Sequence, residues 1–361
     1  MEHPANVHFF KNFIWKMQKL NHDVMITARD KEVTLDLLNA YGFNYTKISK
    51  MKMGSINLIY EWVSMDIKLL NIALKFKPDI MLGVGSPCIA HVSRLTNALS
   101  IIFTDYPLWY DKVITYPFSD IILTPTSFSE NLGKKHLMIK SYKELAYLHP
   151  DFFKPNKKIY ELMNINENER FVIMRFASFD AVHDGFLGFD IKAGFDTRTK
   201  IELVNQVIKY ARVFIVPAGE LPEELNKYRI QFPLEKIHDA LYYADLLISD
   251  SQTMTTEAAV LGTPVVRCNS WVGEKDAMNF IELEDKYKLI YNFKNAEGAI
   301  NKCIELLEIP DIKKYMEKGR KILLTEKINM TNFLIWLVEN YDKFEFNMMQ
   351  DYYTKYVGEF H

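Results

Sequence analysis

The chain of 361 residues has only three cysteines, Cys88, Cys268 and Cys303, and they lie far apart with no paired spacing. Thiols so sparse exclude a disulfide framework and a zinc knuckle. Cys88 and Cys268 border apolar runs, where a thiol acts as a small buried hydrophobe, and a reducing cytoplasm suits them. Long apolar runs are missing as well. No stretch approaches about 18 uninterrupted apolar residues, so no membrane span is expected, and contact with a membrane is at most peripheral. The start has no charged segment leading into an apolar one, which excludes a secretory signal there. Charge of one sign is not in excess either. With 44 basic and 46 acidic side chains the net charge is -2, which leaves no electrostatic footprint for nucleic acid. Lys50, Lys52, Lys134, Lys135 and Lys140 could form a local patch, but lysines in such loops are ordinarily solvated.

What the chain does have is the composition of a folded protein, 48% apolar and 25% charged. Its length exceeds one hydrophobic core, so two domains are expected. Short β-branched runs alternate with helical patterns. Strands are predicted at 23–30, 43–49, 80–85, 99–105 and 120–126, with a long helix from about Ile56 to Phe76 and another from Pro87. A polar stretch at 151–170 reads as a linker with a short helix. Strands then resume at 171–177, 213–219, 245–250, 263–269 and 287–293. Strands alternating with helices predict mostly parallel sheets covered on both faces. The predicted domains are 1–150, a linker at 151–170, a second domain at 171–325, and a helical tail at 326–361 that packs back on one of them. Ligands of open parallel sheets bind outside the carboxyl ends of the strands, so chemistry is sought in those loops.

The segment "LLISDSQTMTTEAAVLGTPVV" (246–266) carries the most information. A buried strand ends at Asp250, a polar turn follows, and a helix from about Thr253 to Leu261 is closed by Gly262. The Ser251 hydroxyl, Thr253 and the free N–H groups of the helix start could hold an anion. Glu257, flanked by Ala258, Ala259 and Val260, offers a carboxylate suited to the vicinal hydroxyls of a ribose. Against this, serine and threonine at a helix start are commonly caps, and a helical glutamate is commonly solvated.

This segment resembles the nucleotide-binding region of GT-B-type enzymes, particularly the non-hydrolysing UDP-N-acetylglucosamine 2-epimerases. Over nearly its whole length the chain more closely resembles a prokaryotic family of unknown function, domain-of-unknown-function family 354, related to those epimerases. The matching pieces are "HPANVHFFK" at the start, "SYKELAYLHP" (141–150), "MRFASFDAVHD" (174–184), "HDALYYADLLISDSQTMTTEAAVLGTP" with His238 at its head, and "NSWVG" (269–273). The resemblance implies an α/β, GT-B-like architecture in which two Rossmann-like parallel-sheet domains face a central cleft. It also implies that Ser251 and Glu257 contact the nucleotide, and His238 is counted among the nucleotide-binding residues with them. The epimerases have Gly-Gly after the serine where this chain has Gln252-Thr253, whose side chains narrow the approach of a phosphate.

Other candidates lie in the remaining strand-end loops. Arg175 stands in an apolar strand, where a guanidinium needs a partner; a diphosphate or an acidic loop residue would serve. Ser178, His183 and Asp184 follow in the same loop. At the front, His3, Asn6 and His8 lie on a turn leading into a helix. The resembling family often has histidine where this chain has Asn6, and asparagine is no base, so His8 or His3 takes that role, or no base operates there. His8 packed on its helix is the other reading. Relatives carry a strand of about six residues ahead of "HPA", central in the first sheet; its loss would strip a ladder of partners, and a start placed downstream of the true one is the plainer expectation. Gly83, Gly85 and Ser86 permit close backbone approach. Asp105 ends a strand and could orient a sugar hydroxyl or transfer a proton, or simply cap a turn. Lys143 and Glu144 read as a hinge ion pair.

The resulting expectation is a cytoplasmic, metal-independent glycosyltransferase, extending to the inner membrane surface. It would use a nucleoside diphosphate sugar, with UDP the favoured carrier, as substrate, with no separate cofactor. The acceptor would be a glycan or lipid-linked molecule in surface polysaccharide or glycoconjugate synthesis. Epimerisation at C2 of a UDP-linked N-acetyl sugar is the enzymatic alternative, and a silent nucleotide-sugar-binding protein the other.

Overall fold

The computed structural model describes residues 1–50, 55–176, 194–217, 221–273 and 276–343. Two compact units divide them: Met1–Phe152 together with the chain from Glu326 onward, and Phe153–Thr325.

The first unit is built on parallel strands. β1 (Thr27–Asp30) and β2 (Thr46–Lys50) form one sheet; β3 (Ile80–Val84), β4 (Leu99–Phe103), β5 (Ile121–Pro125) and β6 (His136–Ile139) form another in that order. β5 is buried throughout, as a continuous apolar run in a parallel sheet should be. The sequence pattern extended the first strand back to Asp23, but ladder pairing to β2 begins only at Thr27. Helix Pro4–Lys19 starts with proline at its first turn, and the His3 ring nitrogen accepts from Ala5 N–H as its cap. Its inward face carries Phe9, Phe10, Phe13, Ile14 and Met17. Met65, Leu69 and Ala73 of helix Ser55–Phe76 enter a core cluster with Met81, Cys88 and Val92.

Helix Met330–Glu339 belongs to this unit. It buries Met330, Phe333, Leu334 and Leu337, each contributing roughly 1.5–3 kcal/mol. Polar bonds fix its entry: Ser141 Oγ donates to Ile328 O at 2.7 Å and Thr331 Oγ1 to Ala146 O at 2.7 Å.

The second unit contains β7 (Phe171–Phe176), β8 (Arg212–Pro217), β9 (Leu246–Ser249), β10 (Val265–Cys268) and β11 (Ile290–Phe293). They form a parallel sheet in the order β11-β10-β9-β7-β8. The chain lays β8 on one side of β7 and then returns past it to lay β9 on the other. β7 and β9 therefore flank a topological switch point, where a crevice opens beyond the carboxyl ends of the strands. Helix Thr253–Leu261 follows β9 and is ended by Gly262 at φ 84°, the left-handed conformation that glycine adopts without strain. Among the described residues no helix is long and apolar enough to cross a membrane.

Candidate functional site

The switch point of the second unit gathers Arg175, Ser251 and Thr253, with Glu257 and His238 behind them. Arg175 lies opposite Ser249 in the β7–β9 register, and Asp250 N–H donates to Arg175 O at 3.3 Å. The half-buried guanidinium donates through Nη1 to Val216 O on β8 at 3.3 Å. Beyond β9, the turn is tied by its own hydroxyls. Ser251 N–H donates to Ser249 Oγ at 2.9 Å, the two hydroxyls stand 2.8 Å apart, and Thr255 Oγ1 donates to Ser251 O at 2.7 Å. Gln252 occupies the cap position of helix Thr253–Leu261 and makes no side-chain cap bond. The first-turn N–H groups and the positive end of the helix dipole thus lack a side-chain acceptor at the cap, beside half-buried Ser251 and Thr253.

Glu257 departs from the sequence expectation. Its residue is 4% exposed, and Oε1 lies 3.0 Å from His238 Nε2. An unpartnered carboxylate in this setting would cost several kcal/mol, and its neighbours Ala258, Ala259 and Val260 have nothing to offer it. Helix Ile237–Tyr243 supplies the partner instead. The carboxylate is therefore oriented and covered, not open at the surface as an unassisted ribose contact would require.

Behind this turn sits an ion pair that sequence reasoning missed. Arg267 of β10 is fully buried and grips Asp276 with both terminal nitrogens, at 2.6 and 3.1 Å. Nη1 also reaches Asn292 Oδ1 at 3.1 Å, and the guanidinium carbon lies 3.9 Å from the Phe280 ring centroid. The signal was in plain view, since an arginine inside "PVVRC" demands a partner by the same rule that drew attention to Arg175. Asn269, just past β10, donates to Asp250 O at 3.0 Å and accepts from Trp271 N–H at 2.9 Å. It joins the ends of β9 and β10. A side chain at Gly194 would place its Cβ 1.9 Å from Cys268 O, so only glycine fits that approach. Ser178, His183 and Asp184 lie outside the described residues.

In the first unit the candidates separate. His8 is 6% exposed, stacks on Tyr147 at 5.5 Å between centroids, and its Nδ1 lies 3.1 Å from the Tyr41 hydroxyl. It is packed in its core, which is the structural alternative to a base. His3 caps its helix, and Asn6 is buried at 8% exposure. Gly85 takes φ 50° beyond β3, and Ser86 donates to Glu2 Oε1 at 2.8 Å. Asp105 beyond β4 holds Lys143 Nζ at 2.5 Å. Glu144, next to that lysine, is buried at 4% exposure.

Burial shifts the thiols and Lys313 among other groups. Desolvation, with a smaller contribution from Asp250, pushes Cys268 up to about 12, and burial likewise raises Cys88 and Cys303. Burial lowers Lys313 to about 8, although Asp245 opposes the shift; its Nζ donates to Tyr242 O.

A family model described as "Protein of unknown function (DUF354)" matches residues 2–318. An uncharacterized protein of Methanocaldococcus jannaschii is 22% identical over 332 residues, covering 86% of this chain and 93% of its own. Among solved structures, the UDP-GlcNAc 2-epimerase of Neisseria meningitidis, bound to UDP-GlcNAc, aligns with a TM-score of 0.65 at 14% identity over 95% of this chain and 98% of its own. The spinosyn forosaminyltransferase SpnP aligns at 0.60 and 11% identity, over 94% and 96%. The fold is thus the mixed α/β, parallel-sheet fold shared by epimerases and GT-B glycosyltransferases.

Proposed function

We propose, for a chain that belongs to the DUF354 family, that the second unit binds a nucleoside diphosphate sugar and that the protein is a GT-B-type enzyme transferring that sugar. One observation carries this reading: Arg175 and the Ser249–Ser251 turn stand side by side at the β7–β9 switch point, next to a helix start with no side-chain cap. Diphosphate oxygens suit that helix start, with Ser251 and Thr253 as hydroxyl donors and Arg175 as the charge. Glu257 serves the ribose, with His238 fixing the carboxylate rotamer; the covering side chains must part for the hydroxyls to reach it. Asp105, held by Lys143, is the first unit's candidate for proton transfer. UDP is the favoured nucleotide, since UDP-GlcNAc is the ligand bound in a structure of like fold. A glycan or lipid-linked acceptor, and a place in surface polysaccharide or glycoconjugate synthesis, complete the reading.

C2 epimerisation of a UDP-linked N-acetyl sugar is the second reading, favoured by the alignment to the Neisseria epimerase, which is closer than that to the forosaminyltransferase. Calorimetric titration with UDP and UDP-GlcNAc, for the chain and for Ser251→Ala, tests the shared premise. Binding weakened by about tenfold in the variant is expected, and no binding of any nucleoside diphosphate overturns both readings. NMR of UDP-GlcNAc incubated with the protein then separates them: a new epimer without acceptor selects epimerisation.

A further inference from the structure

Helix Ser55–Phe76 is apolar on two faces, and the first unit uses one of them. Met65, Leu69 and Ala73 enter the core cluster. On the far side Tyr60, Val63, Ile67 and Leu74 are between 54 and 69% exposed, although a helix apolar all round is ordinarily buried. Half-buried Leu70 continues their line at its inner edge. Together the five residues are spaced alternately three and four apart, the a and d positions of a heptad carried over two repeats. Apolar side chains scattered singly over a surface need no partner, but a continuous seam of this kind is what one helix offers another.

The charges of this helix are turned away from the seam. Arg29 holds Glu61 through two nitrogens, each at 2.8 Å. Asp66 Oδ2 lies 2.9 Å from His91 Nδ1, and Lys68 Nζ donates to Ile48 O at 2.9 Å. Lys75, two turns on from Lys68, keeps to the same side of the helix. The flank nearest the seam is polar and uncharged, with Ser64 and Asn71. The seam thus has no charge of its own for an oppositely charged partner to meet, and Lys68 is committed to the backbone, where no anionic surface draws on it.

We propose that this face joins two copies of the chain, their Ser55–Phe76 helices packed antiparallel across a two-fold axis. A two-fold contact has to be complementary to itself, and this seam is. Run against its own copy, it sets Ile67 opposite Leu70 and Val63 opposite Leu74, apolar on apolar in each layer, while Ser64 approaches Asn71. Tyr60, at the end of the seam, adds an aromatic body with a polar tip suited to the rim. The area agrees. The four exposed side chains present roughly 450 Å² per copy, so pairing removes roughly 900 Å² before the polar rim is counted, close to the roughly 1,000 Å² a specific interface needs. A net charge of -2 leaves the copies little mutual repulsion.

Sedimentation velocity over a range of concentrations tests this on the chain, on Ile67→Glu and on Tyr315→Glu, a comparably exposed position in the second unit. The chain and Tyr315→Glu are expected to be dimers. Ile67→Glu sets two carboxylates into the apolar seam and should raise the dimer Kd at least about 100-fold, with its circular dichroism unchanged. A chain that stays monomeric at roughly 100 μM, or an Ile67→Glu variant as dimeric as the chain, overturns the proposal. So does a monomeric chain that floats with anionic vesicles and loses them as Ile67→Glu, which gives the face to a membrane. The register is read by cross-linking with a short bis-maleimide, to which the three buried natural thiols are closed. Val63→Cys with Leu74→Cys should give a covalent dimer. Val63→Cys alone should not, because its two copies lie about 16 Å apart along antiparallel helices. Linking of the single variant, or none in the double one, overturns the antiparallel seam.

Discussion

His238 Nε2 stands 3.0 Å from Glu257 Oε1, with side chains only 3% and 6% exposed, so neither group is placed for an independent role. Removing the imidazole leaves a buried carboxylate poorly met, which costs about 3 kcal/mol or more. Replacing the carboxylate by an amide keeps shape and a hydrogen bond but loses the charge-assisted acceptor. His238→Ala should therefore lower stability by about that amount in urea unfolding. Glu257→Gln should cost about 1 kcal/mol of stability and weaken UDP binding about tenfold by calorimetry. Unchanged UDP affinity in Glu257→Gln would leave the pair a purely structural contact.

The buried Arg267–Asp276 pair gives a prediction about stability alone. Asp276→Ala strands a guanidinium at zero exposure and should cost about 3–5 kcal/mol. Replacing both partners together, as Arg267→Met with Asp276→Leu, should recover most of that loss, because two apolar groups leave no charge uncompensated. A double variant as unstable as Asp276→Ala in denaturant titration would refute this account.

Asp105 and Lys143 make the opposite case. Their side chains are 35% and 12% exposed, so the pair contributes at most about 1 kcal/mol. Asp105→Asn should barely move the unfolding midpoint yet reduce product formation at least about 100-fold if the carboxylate transfers a proton. Retained turnover would remove Asp105 from the chemistry.

Lys313 yields a pH dependence. Its folded value of about 8 lies below the ordinary 10.5, so between those values the unfolded chain holds a proton that the folded chain has shed. Stability then rises with pH across that window, and the full cost of burying the ammonium, roughly 3 kcal/mol, is present below pH 8. Lys313→Met should flatten this rise. Comparing urea midpoints of the two proteins from pH 7 to pH 10 checks it, and parallel profiles would contradict it.

The parallel α/β plan and most strands were legible because apolar runs such as "IILTP" and "FVIMRF" have no other use. The turn from β9 into its helix was legible too, since Gly262 and Pro264 punctuate it. Partnerships were not. Nothing in the spacing says that Lys143 reaches back to Asp105, for that contact depends on where β4 ends relative to the 141–150 segment. Nor does any local pattern place His238 against Glu257 across two helices. His8 shows the reverse: one polar residue amid "VHFF" marked an imidazole lodged among aromatic rings, and only the histidine that the resembling family often has at the Asn6 position suggested a base.

The state of the thiols has a practical corollary. Cys88, Cys268 and Cys303 are all buried, and each is held in its protonated form far above neutral pH. Maleimides and mild oxidants should pass them by while the protein is folded. A single cysteine introduced at a solvent-facing position would then accept a dye or spin label selectively, with all three natural cysteines left in place.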